Sequence, residues 1–329
     1  MSPERLIGMA TAYWPSMTLL ALNELGVFTA LADGDRSGGE LAEATGSDAR
    51  ALRLLLNAGV AHDLLTKDGD SYANGAEAGA FLVPGGPGFM GGAFRYAYDV
   101  YGAWGGLVES VRTGDPGLPE EEYLGGDPAR TERFVRAMHG RGMGWGRGIA
   151  HALDLAGRAS LLDVAGGSGT YSILLCERTP GLSSTVCDLR PILDVSERII
   201  AEHGLSDRVA THAWDLRTDA LPEGRDAALV SGLLHRLPPD VCAALVSRVH
   251  AALSPGAVVA LADVMLDETG AGPPQATLFA LNMLLTAPGG GAHRDVDHVA
   301  WLEAAGFVDA EIRRLPAPAQ HTVVLARKA

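Results

Sequence analysis

Four places in this 329-residue chain carry residue types that can do chemistry together. The first is a glycine cluster, Gly166-Gly167-Ser168-Gly169, directly behind an apolar run from Ala159 to Val164. Glycines let the backbone turn tightly and let a ligand come close where a Cβ would clash. The second and third are acids at the ends of short apolar runs: Asp188, 19 residues beyond Gly169, and Asp215. An acid at the first of these distances takes ribose hydroxyls in nucleoside-binding α/β folds, and Asp215 is placed to meet the exocyclic amine of an adenine. The fourth is His235, behind a further apolar run, with Asp263 near the end of the next.

The glycine spacing separates ligand classes. The dinucleotide fingerprint wants a third glycine at position 172, where this chain has Ser172, and that weakens the case for NAD or FAD. No lysine followed by Ser or Thr stands behind the turn, so it is not a phosphate-binding loop. Glycine-rich backbone plus two acids suits an adenosine with no phosphate to neutralise, which means S-adenosylmethionine (SAM) better than a dinucleotide. The alternative is a plain tight turn in an α/β protein.

These groups need elements to hold them. Strands are expected at Ala159–Val164, Ser184–Asp188, Val209–Ala213, Ala227–Ser231 and Val258–Met265, with a helical pattern through Tyr171, Leu174, Leu175 and Cys176 after the first and a helix from Pro238 through Val249 after the fourth. The carboxyl ends of such strands are where an open α/β sheet binds ligands. Two last strands, Val308–Leu315 and His321–Ala326, lie close in sequence and should pair antiparallel. Ahead of this domain, Pro128 to Leu155 reads as a long helix carrying Phe134, Met138, Met143 and Trp145. Such residues are usually core; next to a cofactor domain they are equally candidates for a substrate pocket, as are Phe279, Asn282 and Met283. The acidic run Glu120–Glu122 reads as a solvated face.

The N-terminal part has its own pattern: a helix over 10–31 with Pro15 in its first turn, a capping box at Ser37 and Glu40 closed by Gly46, a helix Ala49–Ala61 capped at Ser47 or Asp48, and a hairpin over 64–73. Three helices and a hairpin make a winged-helix pattern, open to a DNA-binding or a dimerisation reading. The helix that would enter the groove offers only Arg50 and Arg53, and a net charge of −14 argues against nucleic acid and anionic membranes. The expected division is 1–92 winged-helix-like, 93–158 a helical linker and pocket region, and 159–329 the cofactor domain. The three cysteines, Cys176, Cys187 and Cys242, fit buried reduced thiols of a cytoplasmic protein, and no His/Cys/carboxylate cluster has metal-ligand spacing. No signal segment or membrane span is read.

Taken in order, Leu162-Asp163-Val164-Ala165-Gly166-Gly167-Ser168-Gly169, Asp188-Leu189, Asp215, Ser231 to His235, Ala262-Asp263 and Glu303-Ala304-Ala305-Gly306-Phe307 resemble the class I SAM-dependent small-molecule O-methyltransferases with an N-terminal winged-helix dimerisation domain. The resemblance covers nearly the whole chain. It implies a Rossmann-like α/β sheet whose last strand is antiparallel, and a homodimer joined through the mainly helical N-terminal domain. It implies a cofactor held around Asp163, Gly166, Gly167, Gly169, Asp188, Leu189, Asp215, Leu216 and Ser231, with S-adenosylhomocysteine as product, and His235 as catalytic base. A phenol, with pKa about 10, is a weak nucleophile until its proton leaves; a histidine can take that proton, and Asp263 can hold its tautomer. The expectation is O-methylation of a phenolic hydroxyl on an aromatic secondary metabolite. Two departures stand out: Arg236-Leu237 where the family's commonest pair is Asp-Trp, and His293-Arg294 where many members have Glu-Arg. His293 cannot be the acidic partner. Non-methylating SAM chemistry (hydroxylation, decarboxylation, pericyclic reactions) and a winged-helix regulator are the alternatives.

Overall fold

The computed structural model describes residues 2–86, 88–118, 126–316 and 321–329, apart from the side chains of Ala93 and Trp145. The run Glu120–Glu122 and the indole of Trp145 thus lie outside the described residues. The chain divides into two compact units, Met1–Gly102 and Ala103–Ala329.

The first unit runs α1 (Glu4–Thr11), α2 (Tyr13–Glu24), α3 (Val27–Ala30), β1 (Arg36–Ser37), α4 (Gly38–Thr45), α5 (Ala49–Ala61), β2 (Leu65–Asp68), β3 (Ser71–Asn74) and α6 (Ala76–Phe81), and then into α7 (Gly91–Gly105). The single helix expected over 10–31 is three. Pro15 does fall in a first turn, that of α2, where its missing N–H leaves no bond unmade, and Gly26, at φ 74°, ends the run before α3. The capping box is present: Ser37 Oγ accepts from the Glu40 N–H at 3.3 Å and the Ser37 N–H donates to Glu40 Oε2 at 2.8 Å. Asp48 caps α5, accepting from the Ala51 N–H at 2.8 Å. Leu22, Phe28, Leu41, Leu52, Leu56, Leu65 and Tyr72 fill the core, under a small sheet in the order β1-β3-β2.

The second unit takes the end of α7, then α8 (Leu107–Thr113), α9 (Pro128–Ala152), β4 (Ser160–Val164), α10 (Thr170–Arg178), β5 (Ser183–Asp188), α11 (Arg190–Glu202), β6 (Val209–Ala213), β7 (Arg225–Ser231), α12 (Pro239–Ala252), β8 (Leu253–Asp263), α13 (Pro274–Thr286), α14 (Asp295–Ala304), β9 (Phe307–Arg314) and β10 (Thr322–Lys328). The sheet order is β6-β5-β4-β7-β8-β10-β9. The pairs from β6 to β8 are parallel, and β10 runs antiparallel to both β8 and β9. Alternation along β4 divides the core between the two faces: Leu161 packs with α9–α11 residues such as Ile149 and Ile173, while Leu162 and Val164 pack with α12 residues such as Leu245 and Val249. The chain leaves β4 toward β5 and β6, then returns to lay β7 and β8 on the other side. The strand order therefore reverses between β4 and β7, and the carboxyl ends of those two strands flank the crevice in which open α/β sheets hold ligands.

Candidate active site

The glycine turn is built over a buried acid. Asp163 is fully buried and its Oδ2 accepts from Ser172 Oγ at 2.6 Å. Ser172, standing where a dinucleotide fold would carry its third glycine, thus serves that carboxyl, and also meets Ser184 Oγ at 2.7 Å. Burial pushes the Asp163 carboxyl up to about 6. A Cβ at Gly166 would fall 2.6–2.8 Å from the Asp163 carboxyl group, so the turn closes only with glycine there. Ala165 (φ 53°), Gly167 (φ 55°) and Gly169 (φ 73°) all take left-handed backbone; the strained Ala165 had no counterpart in the sequence expectation. Asp163 lies beneath the turn and supports it, and Gly169 faces Ile200 and Val186, which its Cβ would meet at 3.3 and 3.5 Å, so it serves helix–strand packing. Gly167 alone among the three opens onto space with no atom within 4 Å of a built Cβ.

Asp188 ends β5 half-buried and ties the turn to the next strand. Its Oδ2 accepts from the Gly167 N–H at 2.8 Å and its Oδ1 from the Leu189 N–H at 2.7 Å. Burial pushes its carboxyl up to about 6, against the pull of those two N–H groups. Each oxygen keeps a second lone-pair direction for a hydroxyl donor. Asp215 stands beyond the end of β6 with Arg217 across it: Nη2 at 2.7 Å from Oδ2 and Nε at 3.1 Å from Oδ1, which holds its carboxyl down at about 2. Leu189 and Leu216 are half-buried against the two sheet faces, and Ser231 closes β7 with a buried hydroxyl. An open face over Gly167 bordered by the Asp188 carboxylate fits an adenosyl group with its ribose on Asp188 and no phosphate.

His235 lies on a short 3-10 turn, Leu234–Arg236, just past β7. Gly232, at φ 67°, redirects the chain there, and its N–H donates to Ala262 O at 3.0 Å. Asp263, the last residue of β8, is buried and engages His235 twice: Nδ1 of the ring meets Oδ1, and the backbone N–H donates to Oδ2 at 3.2 Å. Burial alone would raise the Asp263 carboxyl; the His235 imidazole, helped by His298 and His321, outweighs it and holds the group below its ordinary value. A carboxylate at Nδ1 fixes the proton there and leaves Nε2 with a lone pair. The ring stands edge-on to Phe279 of α13, centroids 4.8 Å apart.

The remaining pocket candidates are distributed differently. Asn282 Oδ1 accepts from Trp104 Nε1 at 3.1 Å. Met283 is buried, Phe134 packs half-buried against the core on the α9 face of the sheet, and Met138 is half-buried on α9. Phe279 is thus in direct ring contact with His235. His321 was not among the expected site residues. It precedes β10, whose Thr322 is paired with Asp263, and burial pushes its imidazole down to about 4. That antiparallel register was the available signal.

The chain matches the model of the O-methyltransferase domain over residues 107–308 and that of the O-methyltransferase dimerisation domain over residues 7–84. Among its relatives, 3-hydroxy-5-methyl-1-naphthoate 3-O-methyltransferase of Streptomyces sahachiroi is 33% identical over 332 residues, spanning 99% of this chain and 96% of the relative. The tetracenomycin polyketide synthesis 8-O-methyl transferase of Streptomyces glaucescens is 32% identical over 99% of this chain and 97% of its own length. Among solved structures, human N-acetylserotonin methyltransferase in complex with SAM superposes with a TM-score of 0.90 at 26% identity, over 99% of this chain and 97% of that one. Matched along nearly its whole length in sequence and in fold, the chain belongs to the O-methyltransferase family and is a SAM-dependent enzyme.

Proposed function

We propose that the enzyme methylates a phenolic hydroxyl of an aromatic secondary metabolite, with His235 as general base and Asp263 as the residue that orients it. The observation that carries this reading is the double engagement of His235 by Asp263 at neighbouring strand ends. When bound, SAM supplies an electrophilic methyl group on a cationic sulfur. The turn at Gly166 and Gly167 would leave room for it, Asp188 would take its ribose hydroxyls, and Asp215 with Leu189, Leu216 and Ser231 would border its adenine. The Nε2 lone pair of His235 accepts the phenolic proton, and the Asp263 carboxylate stabilises the imidazolium so formed. Phe279 flanks the ring, and Phe134, Met138, Trp145, Asn282 and Met283 are the further substrate-side candidates. The aromatic substrate class is supported by the naphthoate and tetracenomycin relatives.

The same reading makes the enzyme a homodimer through residues 7–84, acting in the cytoplasm without a nucleic-acid partner. No helix among the described residues is long and apolar enough to cross a membrane, and Cys176, Cys187 and Cys242 are buried free thiols. The test is incubation with methyl-labelled SAM and a panel of phenols, together with calorimetry of SAM binding. Labelled ether product should form, His235→Ala should lose most of it, and Asp188→Ala should weaken SAM binding. Turnover at the wild-type rate in His235→Ala would remove the base assignment.

A further inference from the structure

The departure at His293 has a structural counterpart. The loop between α13 and α14 crosses both strand ends that carry the dyad. On the β8 side, the Leu266 N–H donates to His293 O at 2.9 Å and the Asp295 N–H to Leu266 O at 2.9 Å. On the β7 side, the Gly291 N–H donates to the carbonyl of His235 itself at 2.8 Å. The His293 ring then reaches into the turn that holds His235: Nε2 lies 3.0 Å from Leu234 O and 2.9 Å from Leu237 O, the carbonyls on either side of the base. Both are acceptors only, so Nε2 must carry a proton and donate to them. The thiol of Cys242 is directed at the same two carbonyls, at 3.3 and 3.6 Å, and Trp301 packs edge-on against His293 with centroids 5.0 Å apart.

We infer that His293 is a positioning residue for His235, acting from the backbone side of the turn as a hydrogen-bond donor. This rests on the reading of His235 as the base. The division of labour is clear in the geometry: Asp263 holds the ring and the N–H of His235, while the 291–293 loop holds its carbonyl and the carbonyls flanking it. An acidic residue at 293 would set a carboxylate against two carbonyl oxygens, so this chain's arrangement requires a donor where many members of the family carry a glutamate. The inferred task is geometric, since small displacements of a base from its reacting proton are costly.

The test compares His293→Gln, which keeps an N–H donor, with His293→Leu, which does not. Three readouts are taken: steady-state kinetics, SAM affinity by calorimetry, and the imidazole N–H resonance of His235 in histidine-labelled protein, identified by its loss in His235→Ala. In His293→Leu, kcat should fall by about 10- to 100-fold, SAM affinity should stay within about twofold of wild type, and the His235 resonance should move or broaden; His293→Gln should restore all three. Should the leucine variant not fold, His293→Glu gives the same readouts and the same expected loss. An unmoved His235 resonance with wild-type kcat, or equal losses in the glutamine and leucine variants, would overturn the inference. The base assignment is tested separately by His235→Ala. If that variant is impaired, adding His293→Leu to it should cost nothing further in kcat; a further loss of the original size would also overturn the inference.

Discussion

Asp263 holds His235 by two different atoms of the same residue, its ring Nδ1 and its main-chain N–H, using one carboxylate oxygen for each. A carboxylate can do this because both oxygens accept. An asparagine in its place has one accepting atom and must present its NH2 to one of two donors. In Asp263→Asn the imidazole is therefore driven to the other tautomer, with its proton on Nε2, where it cannot accept a second one. Turnover should fall by roughly 10²–10⁴-fold, the range for losing a positioned acid–base group, while calorimetry should find SAM affinity little changed. Wild-type kcat in that variant would show that the pair does not set the tautomer.

The two glycines at the front of the turn should fail in different ways. At Gly166 a Cβ would be driven to 2.6–2.8 Å from the Asp163 carboxyl, which is itself fixed by Ser172. Gly166→Ala should therefore cost stability, about 1–3 kcal/mol for an overpacked site. At Gly167 the added methyl meets nothing within 4 Å but has a φ of +55° to adopt. Gly167→Ala should cost roughly 1–2 kcal/mol in backbone strain and put its methyl where the cofactor would lie, so its main defect should be SAM affinity. Urea melts and calorimetry on both variants separate the two; equal affinity loss with equal stability would contradict the geometry.

Much of this arrangement could be read in advance wherever it is local. The capping box at Ser37 and Glu40, the Asp48 cap, the hairpin and the glycine turn depend on residues within a few positions of each other, and they stand as expected. His235 and Asp263 follow from a simple rule, that polar residues just past parallel strands line one edge. What escaped is what depends on contacts far apart in sequence. Asp163 looks like the acid of a binding motif, but strand alternation turns it under the loop toward Ser172. His321 reaches the dyad only through the pairing of β10 with β8. The donor role of His293 needs the loop before α14 to lie across the β7 exit. One omission was legible: α11 carries Ile192, Val195, Ser196, Ile199 and Ile200 buried at helical spacing.

The buried Asp163 predicts a pH dependence of opposite sign to ordinary acid denaturation. Its folded value, about 6, lies above the ordinary carboxylate value of 3.8. Well below pH 3.8 both folded and unfolded chains carry the proton. As pH rises through 6 the folded chain must hold a buried anion that the unfolded chain hydrates freely, so stability is lost in that window, by about 2–3 kcal/mol on the linkage relation. Asp163→Asn has no such ionisation. The stability of Asp163→Asn relative to wild type should thus grow by about 2 kcal/mol between pH 4 and pH 7.5, measured by urea denaturation without ligand. His139 and His321, both pushed down to about 4 mainly by burial, lower stability as pH falls below 6.5 in both proteins and cancel in the comparison. A constant difference across the window would mean that Asp163 is not held above its normal range.

The N-terminal unit carries an apolar surface that the protomer leaves uncovered. Helix α1 has no buried residue, although Leu6, Ile7 and Met9 lie on it, 59–65% exposed, and Tyr13 and Trp14 at the start of α2 are 50 and 60% exposed. Apolar side chains gathered in this way mark an interaction site on a protein that stays in solution, and residues 7–84 match the O-methyltransferase dimerisation domain. Ile7 and Trp14 should therefore be buried in the dimer. Because neither belongs to the protomer core, Ile7→Asp with Trp14→Asp should leave the fold of each chain intact while charging both copies of a self-complementary surface. Sedimentation equilibrium should find wild type as a dimer and the double variant as a monomer at micromolar concentration, with circular dichroism unchanged. A variant that still sediments as a dimer would move the interface to another face of the unit.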